Sequence, residues 1–407
     1  AEAGHSVLVV GPTQSFKTSG FAVPAILEWS GPVLAASVKT DLLARTVAWR
    51  RQQGTVWVYD PSGSTGMPAD GWSPVDAAST WGGARRVAHS LTEAARPQAG
   101  GLADAEFWYA AAAKLLAPLL LAAAVSGRTI ADVRRWLDEQ EQLEVADALF
   151  AAGAAGREAL QAARAGWGRD ERQRSGVYTT AEMVLEAFGD PPALSASGTS
   201  IRPSWLLGAA NTLYLCAPAH EQRRLRPLFT ALATEVLDAA FSTSSRRGGP
   251  LDPPLLVVLD EAANVAPVAE LDALASTAAG HGVQLVTVWQ DLAQLTARYG
   301  PRAGTVVNNH RVKVFLSGIA DPGTLEHASV LVGDTERLLS PPLHAGAHRT
   351  PAPATPVVRR LLPADALRRL APGTAVALSG HLPPVRLRLR PWWRDRRLRT
   401  RAVACRS

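Results

Sequence analysis

The chain of 407 residues carries 42 Lys and Arg against 36 Asp and Glu, a formal charge of +6, and is 47% hydrophobic and 19% charged. That length fits two or three structural units, and that apolar content excludes a mostly disordered chain. Two cysteines, Cys216 and Cys405, exclude a disulfide framework and a cysteine-built zinc site, and fit a reducing, cytoplasmic setting. The positive excess suggests an anionic partner, nucleic acid or a lipid surface, yet it is small for the length, so its position matters more than its sum.

No membrane span is expected, because the most apolar uncharged run, residues 115–127, is too short and contains Pro118. No signal peptide is visible either. The chain opens on Ala1 and is strand-like by Ser6, so we expect an upstream segment that holds any membrane anchor.

In chain order, residues 6–11 (SVLVVG) read as a buried strand running into a loop, and a helix-compatible stretch follows Thr18 up to Trp29. Two more buried-type strands, at 32–37 and 56–60, flank a helical pattern over 41–53. Strands alternating with helices predict a parallel sheet. Between about 75 and 189 the patterns are all helical, and strand patterns resume at 213–217, 255–259, 283–289 and 312–317. The reading is therefore one α/β unit with an all-α domain inserted. Its pieces are a first α/β part at 1–74, the insertion at 75–190, a second α/β part at 191–345 and a C-terminal extension at 346–407. The Pro, Ala and Thr-rich stretch 346–356 reads as a surface loop.

Gly11, Pro12, Thr13, Gln14, Ser15, Phe16, Lys17 and Thr18 match the phosphate-loop pattern G-x-x-x-x-G-K-[ST] except at the second glycine, where Phe16 stands. In such a loop successive backbone N–H groups surround phosphate oxygens, a lysine reaches the β and γ phosphates and a hydroxyl binds Mg2+. Lys17 and Thr18 are placed for the last two roles. An ordinary strand-to-helix turn with a surface lysine is the plainer alternative, but the flanking strand and helix favour a nucleotide. Phe16 either crowds the phosphates or turns away and packs.

Residues 255–261 (LLVVLDE) form an apolar strand ending in Asp260 and Glu261, suited to holding Mg2+ and to polarising an attacking water. Taken alone, such a pair is more often a helix cap. The next strand ends in Gln290 and Asp291; Gln290 is placed to contact a γ-phosphate, or Asp291 simply caps a helix. Lys39 and Asp41 follow the second strand on the edge where parallel sheets bind ligands. Candidate phosphate-backbone contacts are Arg50 with Arg51, Arg85 with Arg86, Arg134 with Arg135, and Arg223, Arg224 and Arg226, although charge runs are more often solvated helix faces.

Together GPTQSFKTSGFAVPAILEW, SVKTDLL, VYDPSG, LDEAANV and VWQDLAQL resemble the TraG/TraD-type conjugation coupling proteins, the type IV secretion ATPases that recruit and move DNA. The likeness extends through FWYAAAAKLL, APAHEQRRLRPLF and LSGIADPGTLEHASVLVGD. It implies a RecA-like P-loop NTPase with an inserted all-α domain, ATP and Mg2+ as cofactors, and homo-hexamers with nucleotide at subunit interfaces. It also implies an N-terminal anchor in the inner membrane, with this part on the cytoplasmic face. The implied partners are DNA, single-stranded and bound without sequence preference, a relaxase or DNA–protein transfer substrate, and secretion-channel proteins. By the same resemblance Glu261 and Gln290 are catalytic, Thr18 and Asp260 hold the metal, and the loop from Gly11 to Thr18 holds the nucleotide. Besides Phe16, the stretch 277–282 departs from the pattern, lacking the arginine that many relatives direct at a neighbouring subunit's γ-phosphate; His281, Arg298, Arg302 and Arg311 are weaker substitutes. Two rival readings are a non-hydrolysing recruitment platform of the same fold, favoured by those departures, and a chromosome-segregation-type DNA pump. The inserted helices argue against the pump.

The charge itself is local. Residues 386–406 hold nine arginines and one acid, Asp395, so this tail carries +8 and the rest of the chain about −2. Residues 385–390 alternate like an edge strand with an arginine face, and 391–401 (PWWRDRRLRTR) suit an anionic lipid surface or DNA.

Overall fold

The computed structural model describes residues 4–96, 103–189, 200–218, 220–263, 268, 270–339 and 355–403. Its centre is a nine-stranded sheet, which the order of apolar runs dictates. The strands are β1 (Val7–Val10), β2 (Val33–Ser37), β3 (Val56–Tyr59), β4 (Thr212–Cys216), β5 (Leu255–Leu259), β6 (Val283–Trp289) and β7 (Val312–Leu316). After the antiparallel pair β8 (Asp334–Leu339) and β9 (Thr355–Arg360), which stands apart, β10 (Thr374–Ser379) and β11 (Val385–Arg388) complete it. The order across the sheet is β11-β10-β7-β1-β6-β5-β2-β4-β3. The seven strands from β7 to β3 are mutually parallel, while β10 and β11 add antiparallel on one edge. The fold is thus a mostly parallel α/β sheet, as the sequence predicts, and β11 is the exposed, arginine-bearing edge strand.

Strands such as β1 (VLVV) and β5 (LLVVL) are buried at every position, which requires cover on both faces. One face, with Leu8, Val10, Leu34 and Val257, packs on the helix Gln222–Arg247 and on the inserted helices. The other, with Val7, Val9, Ala35 and Val258, packs on α1 (Val23–Glu28), on α2 (Thr40–Gln53) and on the C-terminal helix Arg396–Val403.

Between β3 and β4 lie α3 (Trp81–Ala95), α4 (Ala103–Ser126), α5 (Ile130–Asp138), α6 (Leu143–Ala151), α7 (Ala154–Trp167) and α8 (Glu171–Leu185). Here the structure departs from the expectation about spans. α4 continues through Pro118, and residues Ala105–Ser126 are long and apolar enough to cross a membrane. They are instead the central helix of this cluster, packed against α3, α6, α7 and α8, with 67% of the apolar window buried. The apolar surface on several sides of α4 is satisfied by neighbouring helices.

Arg50, a candidate DNA contact by sequence, is fully buried and serves the fold. Its guanidinium donates to Thr212 Oγ1 and to the carbonyls of Trp29, Gly31 and Ala210, joining the end of α2 to the entries of β2 and β4. Charge runs on the sequence do not reveal which cation turns inward.

Glu235, on the helix facing the insertion, accepts from Trp72 Nε1 at 2.9 Å through Oε2, while Oε1 is buried with no partner among the described residues. Burial pushes its carboxyl up to about 8, opposed by the Trp72 hydrogen bond. Between the ordinary 4.5 and 8 the folded protein therefore holds a proton that the unfolded chain has released, so stability falls as pH rises across that range. Glu235→Gln is expected to flatten this slope, measured as urea-unfolding midpoints from pH 5 to 8.5, with its gain in stability growing toward the alkaline end.

Candidate functional site

The site lies at the C-terminal ends of the parallel strands, where open α/β sheets leave a crevice. Gly11 ends β1 and its N–H donates to Trp289 O at 3.1 Å, which fixes the start of the loop to the end of β6. A Cβ at Gly11 would stand 2.7 Å from Leu316 Cβ, so the close passage of β7 requires glycine there. Ser15 Oγ donates to Pro12 O at 2.7 Å and closes the loop on itself. Beyond Lys17 the chain enters a single π-helical turn, Thr18–Ala22, before α1 begins.

Lys17 is buried, and its Nζ donates to the carbonyls of Gly11 and Pro12. Burial lowers its pKa, opposed by the charges of Asp260 and Glu261. The ammonium is thus folded back on its own loop, within reach of anything seated there. Thr18 Oγ1 donates to Asp260 Oδ2 at 2.7 Å, across 242 residues of chain, and Ser37 Oγ lies 3.4 Å from the same oxygen. Asp260 N–H donates to Ala36 O at 2.9 Å, holding the carboxylate at the tip of the sheet. Its other oxygen, Oδ1, is buried with no hydrogen-bond partner among the described residues. Burial, with the Glu261 and Asp41 charges, raises Asp260 to about 6 against the Thr18 hydrogen bond. An orphaned carboxylate oxygen beside a hydroxyl is a donor set that fits a hard divalent cation.

Glu261 follows with φ +66°, in the left-handed region, and Ala262 N–H donates to Val288 O at 3.1 Å, tying this turn to β6. Gln290 stands at the tip of β6, its N–H donating to Gln294 Oε1 at 3.0 Å. Asp291 caps the helix Leu292–Tyr299 through Gln294 N–H at 2.8 Å, so the capping alternative holds for Asp291. The fold therefore gathers Lys17, Thr18, Asp260, Glu261 and Gln290 at one edge.

Phe16, at the glycine position, keeps a glycine-like backbone with φ +66°, and Gln14 shares it at +62°. The ring lies against Trp393, with centroids 6.1 Å apart, and near Gly373, whose added Cβ would meet it at 4.0 Å. Of the two possibilities left by sequence, the side chain packs.

Lys39 and Asp41 line a 400 Å3 pocket with Ser64 and Cys216, one strand away from Asp260. Burial pushes the Cys216 thiol up to about 12, which keeps it unreactive. Cys405 lies outside the described residues. His281 precedes β6, at the opposite edge of the sheet, and is engaged with Ser244 at 3.0 Å and the Phe241 ring. Arg302 pairs with Asp272, and burial lowers the pKa of Arg298. Arg311 is exposed beside Gly380. Arg135 pairs with Glu139 and Glu144, and Arg224 with Glu221; the Arg223 side chain lies outside the description.

Sequence reasoning passed over Ser37 and Asp60. Ser37 shares the Asp260 oxygen. Asp60 is buried and accepts from Ser62, Ser64 and Thr65, shaping the turn after β3. Their signal was the placement of hydroxyl and carboxylate at strand ends.

The family described as type IV secretory system conjugative DNA transfer matches residues 2–403. A conjugal transfer protein TraG of Escherichia coli is 25% identical over 355 residues, covering 81% of this chain and 55% of the relative. A TraG of Rhizobium radiobacter is 23% identical over 414 residues, covering 96% of this chain and 62% of that protein. The chain thus spans little more than half the length of such relatives. Among solved structures, the bacterial conjugative coupling protein TrwBdeltaN70 in its unbound monoclinic form superposes with a TM-score of 0.72 at 19% identity, covering 95% of this chain and 85% of that one. The plasmid coupling protein TrwB in complex with the non-hydrolysable ATP analogue ADPNP gives 0.73 at 20% identity, with 95% and 86% covered. These likenesses establish a P-loop coupling-protein fold.

Lys17→Ala is expected to weaken triphosphate binding by at least about tenfold, the cost of losing a charge-assisted contact. Asp260→Asn is expected to retain metal-free binding and lose the gain that added Mg2+ brings, both read by calorimetric titration.

Proposed function

Because the chain belongs to the type IV secretory system conjugative DNA transfer family, we propose that it is the nucleotide-driven part of a conjugation coupling ATPase, binding ATP with Mg2+ and coupling hydrolysis to the movement of DNA or a DNA–protein substrate. One observation carries this reading: Thr18 and Asp260, 242 residues apart, are joined by a 2.7 Å hydrogen bond that leaves Asp260 Oδ1 buried and open to a ligand. The roles proposed for the remaining residues follow from their places around that pair.

The loop from Gly11 to Thr18 surrounds the phosphates with backbone N–H groups, and Lys17 Nζ leaves the Gly11 and Pro12 carbonyls for the β and γ oxygens. Thr18 and Asp260 hold Mg2+, which when bound neutralises charge building up on the phosphate oxygens. Glu261 orients the attacking water and accepts its proton, and Gln290 contacts the γ-phosphate from the adjacent strand. The Phe16 backbone takes the conformation a glycine would, so the feature that favoured a non-hydrolysing platform leaves the loop shape intact. The helices α3 to α8 between β3 and β4 separate the two nucleotide motifs, which favours this reading over a chromosome-segregation-type pump.

Further along the same reading, the protein works as a homo-hexamer at the cytoplasmic face of the inner membrane, receives substrate through a relaxase and delivers it to secretion-channel proteins. For the DNA we propose a cleft of 810 Å3 between α3, α4, α7 and α8, where Arg85, Arg86, Lys114, Arg169 and Arg174 meet no carboxylate among the lining residues and Trp81 offers a ring for base stacking.

Two outcomes test this. Glu261→Gln is expected to bind ATP like the native protein while DNA-stimulated hydrolysis falls about 100-fold or more, the scale of a lost general base; absence of nucleotide binding in both the native protein and Phe16→Gly would instead favour the platform. Reversing Arg85 and Arg169 to Glu is expected to weaken single-stranded DNA binding for every sequence alike and to reduce the slope of log affinity against log salt by about 1 to 2.

A further inference from the structure

The C-terminal segment is the most basic part of the chain, yet it does not hang free. Leu389 N–H donates to Gly373 O at 2.8 Å, and Trp392 N–H donates to Ser19 O at 3.1 Å, on the first turn after the phosphate loop. Arg390 pairs with Glu28 at 2.7 Å, and Arg401 donates to Leu27 O at 2.6 Å, both at the far end of α1. Leu398 and Ala402 are buried in the same apolar cluster as Val23, Ile26 and Leu27. From α2, the Arg45 guanidinium lies 4.7 Å over the Trp392 ring, and Arg401 lies 4.6 Å over Trp49. Every one of these anchors except Gly373 is on the loop, on the helical turns after it, or on α2.

At the loop itself the segment meets Phe16. An aromatic side chain at φ +66° is a genuine outlier, because its Cβ crowds the backbone in the left-handed region. The loop needs that conformation for its N–H groups to converge. Glycine adopts it freely, whereas phenylalanine needs an external contact to hold it. Trp393 provides such a contact, its ring tilted at 53° against Phe16 and at 89° against Trp392. Gly20 permits the approach, since a Cβ there would lie 3.3 Å from Leu389 and 3.4 Å from Phe16 Cβ.

We propose that Trp393 is a positioning residue for the phosphate loop, its ring holding Phe16 in the left-handed conformation so that nucleotide affinity depends on the seating of the C-terminal segment 389–403. This rests on the nucleotide reading of the site. The aromatic pair replaces a property of the loop's own sequence, the freedom of glycine, with a contact supplied from 377 residues away. Of the arginines around it, Arg390 and Arg401 are anchored to α1 and α2, while Arg394, Arg396, Arg397 and Arg399 are exposed.

The test is a double-mutant cycle on the whole chain, with the affinity for ATP and for ADP measured by calorimetric titration and thermal melting followed in parallel. Trp393→Ala is expected to weaken binding about tenfold, the scale of the left-handed backbone cost that the ring contact offsets. Trp393→Phe is expected to stay close to native. In the Phe16→Gly background, Trp393→Ala is expected to change affinity by less than about twofold, because glycine needs no support. Equal losses in both backgrounds, or a lowered melting temperature with unchanged affinity in the Phe16 protein, would overturn the proposal. Should neither the native nor the Phe16→Gly protein bind nucleotide, the nucleotide reading fails on its own account. The coupling is then decided by hydrogen exchange at the amides of 14–18, which Trp393→Ala accelerates only where Phe16 is present if the proposal is right, and leaves unchanged or accelerates equally in both backgrounds if it is wrong.

Discussion

The hydrogen bond from Thr18 to Asp260 is the interaction on which the site depends. Its length of 2.7 Å is ordinary, but the two residues it joins lie at opposite ends of most of the chain. Only a sheet that sets β1 and β5 on either side of β6 can bring them together. The sheet is in turn held by burial on both faces, by the Gly11 N–H on Trp289 O and by the Asp260 N–H on Ala36 O. Geometry at the strand tips is therefore inherited from the apolar strands below them.

The same constraint explains how charge is handled. Asp260 is buried, Lys17 is buried, and each lowers the other's cost of losing water. Lys17 borrows two carbonyls of its own loop, and Asp260 keeps one oxygen without a partner among the described residues. An arrangement so incompletely satisfied is expensive for a merely structural turn and is what a site waiting for an anion and a cation looks like. By contrast Arg50, equally buried, has its donors satisfied by carbonyls and a hydroxyl, which is the mark of a structural cation.

Much of this was legible in the sequence. Buried strands gave themselves away as unbroken apolar runs, and the loop residues and Asp260 stood at their ends. The family likeness named before the structure agrees with the match to residues 2–403. What the sequence could not show is direction. It offered Arg50 as a surface charge, when its guanidinium turns inward. It showed residues 115–127 as too short to span, when α4 runs uninterrupted through Pro118 and is covered by its neighbours. Above all, it left Phe16 undecided, because the partner that settles its orientation, Trp393, lies in the last part of the chain. Side-chain orientation and long-range pairing are tertiary facts, and periodicity carries no information on either.

The basic residues of the chain are found in two settings. Part of the C-terminal charge is spent on Glu28, Asp395 and the Leu27 carbonyl, and the arginines over Trp49 and Trp392 fasten the segment to the sheet's helical cover. Arg85, Arg86, Lys114, Arg169 and Arg174 line the cleft among the inserted helices, Arg174 also donating to Trp167 O. The most direct test of the central claim is a crystal structure of the chain grown with ADPNP and Mg2+. The account predicts triphosphate within residues 11–18, Lys17 Nζ moved from the Gly11 and Pro12 carbonyls to phosphate oxygens, the metal between Thr18 and Asp260, and Phe16 still against Trp393. A nucleotide bound elsewhere, or Lys17 unmoved with the loop empty at saturating ligand, would contradict it.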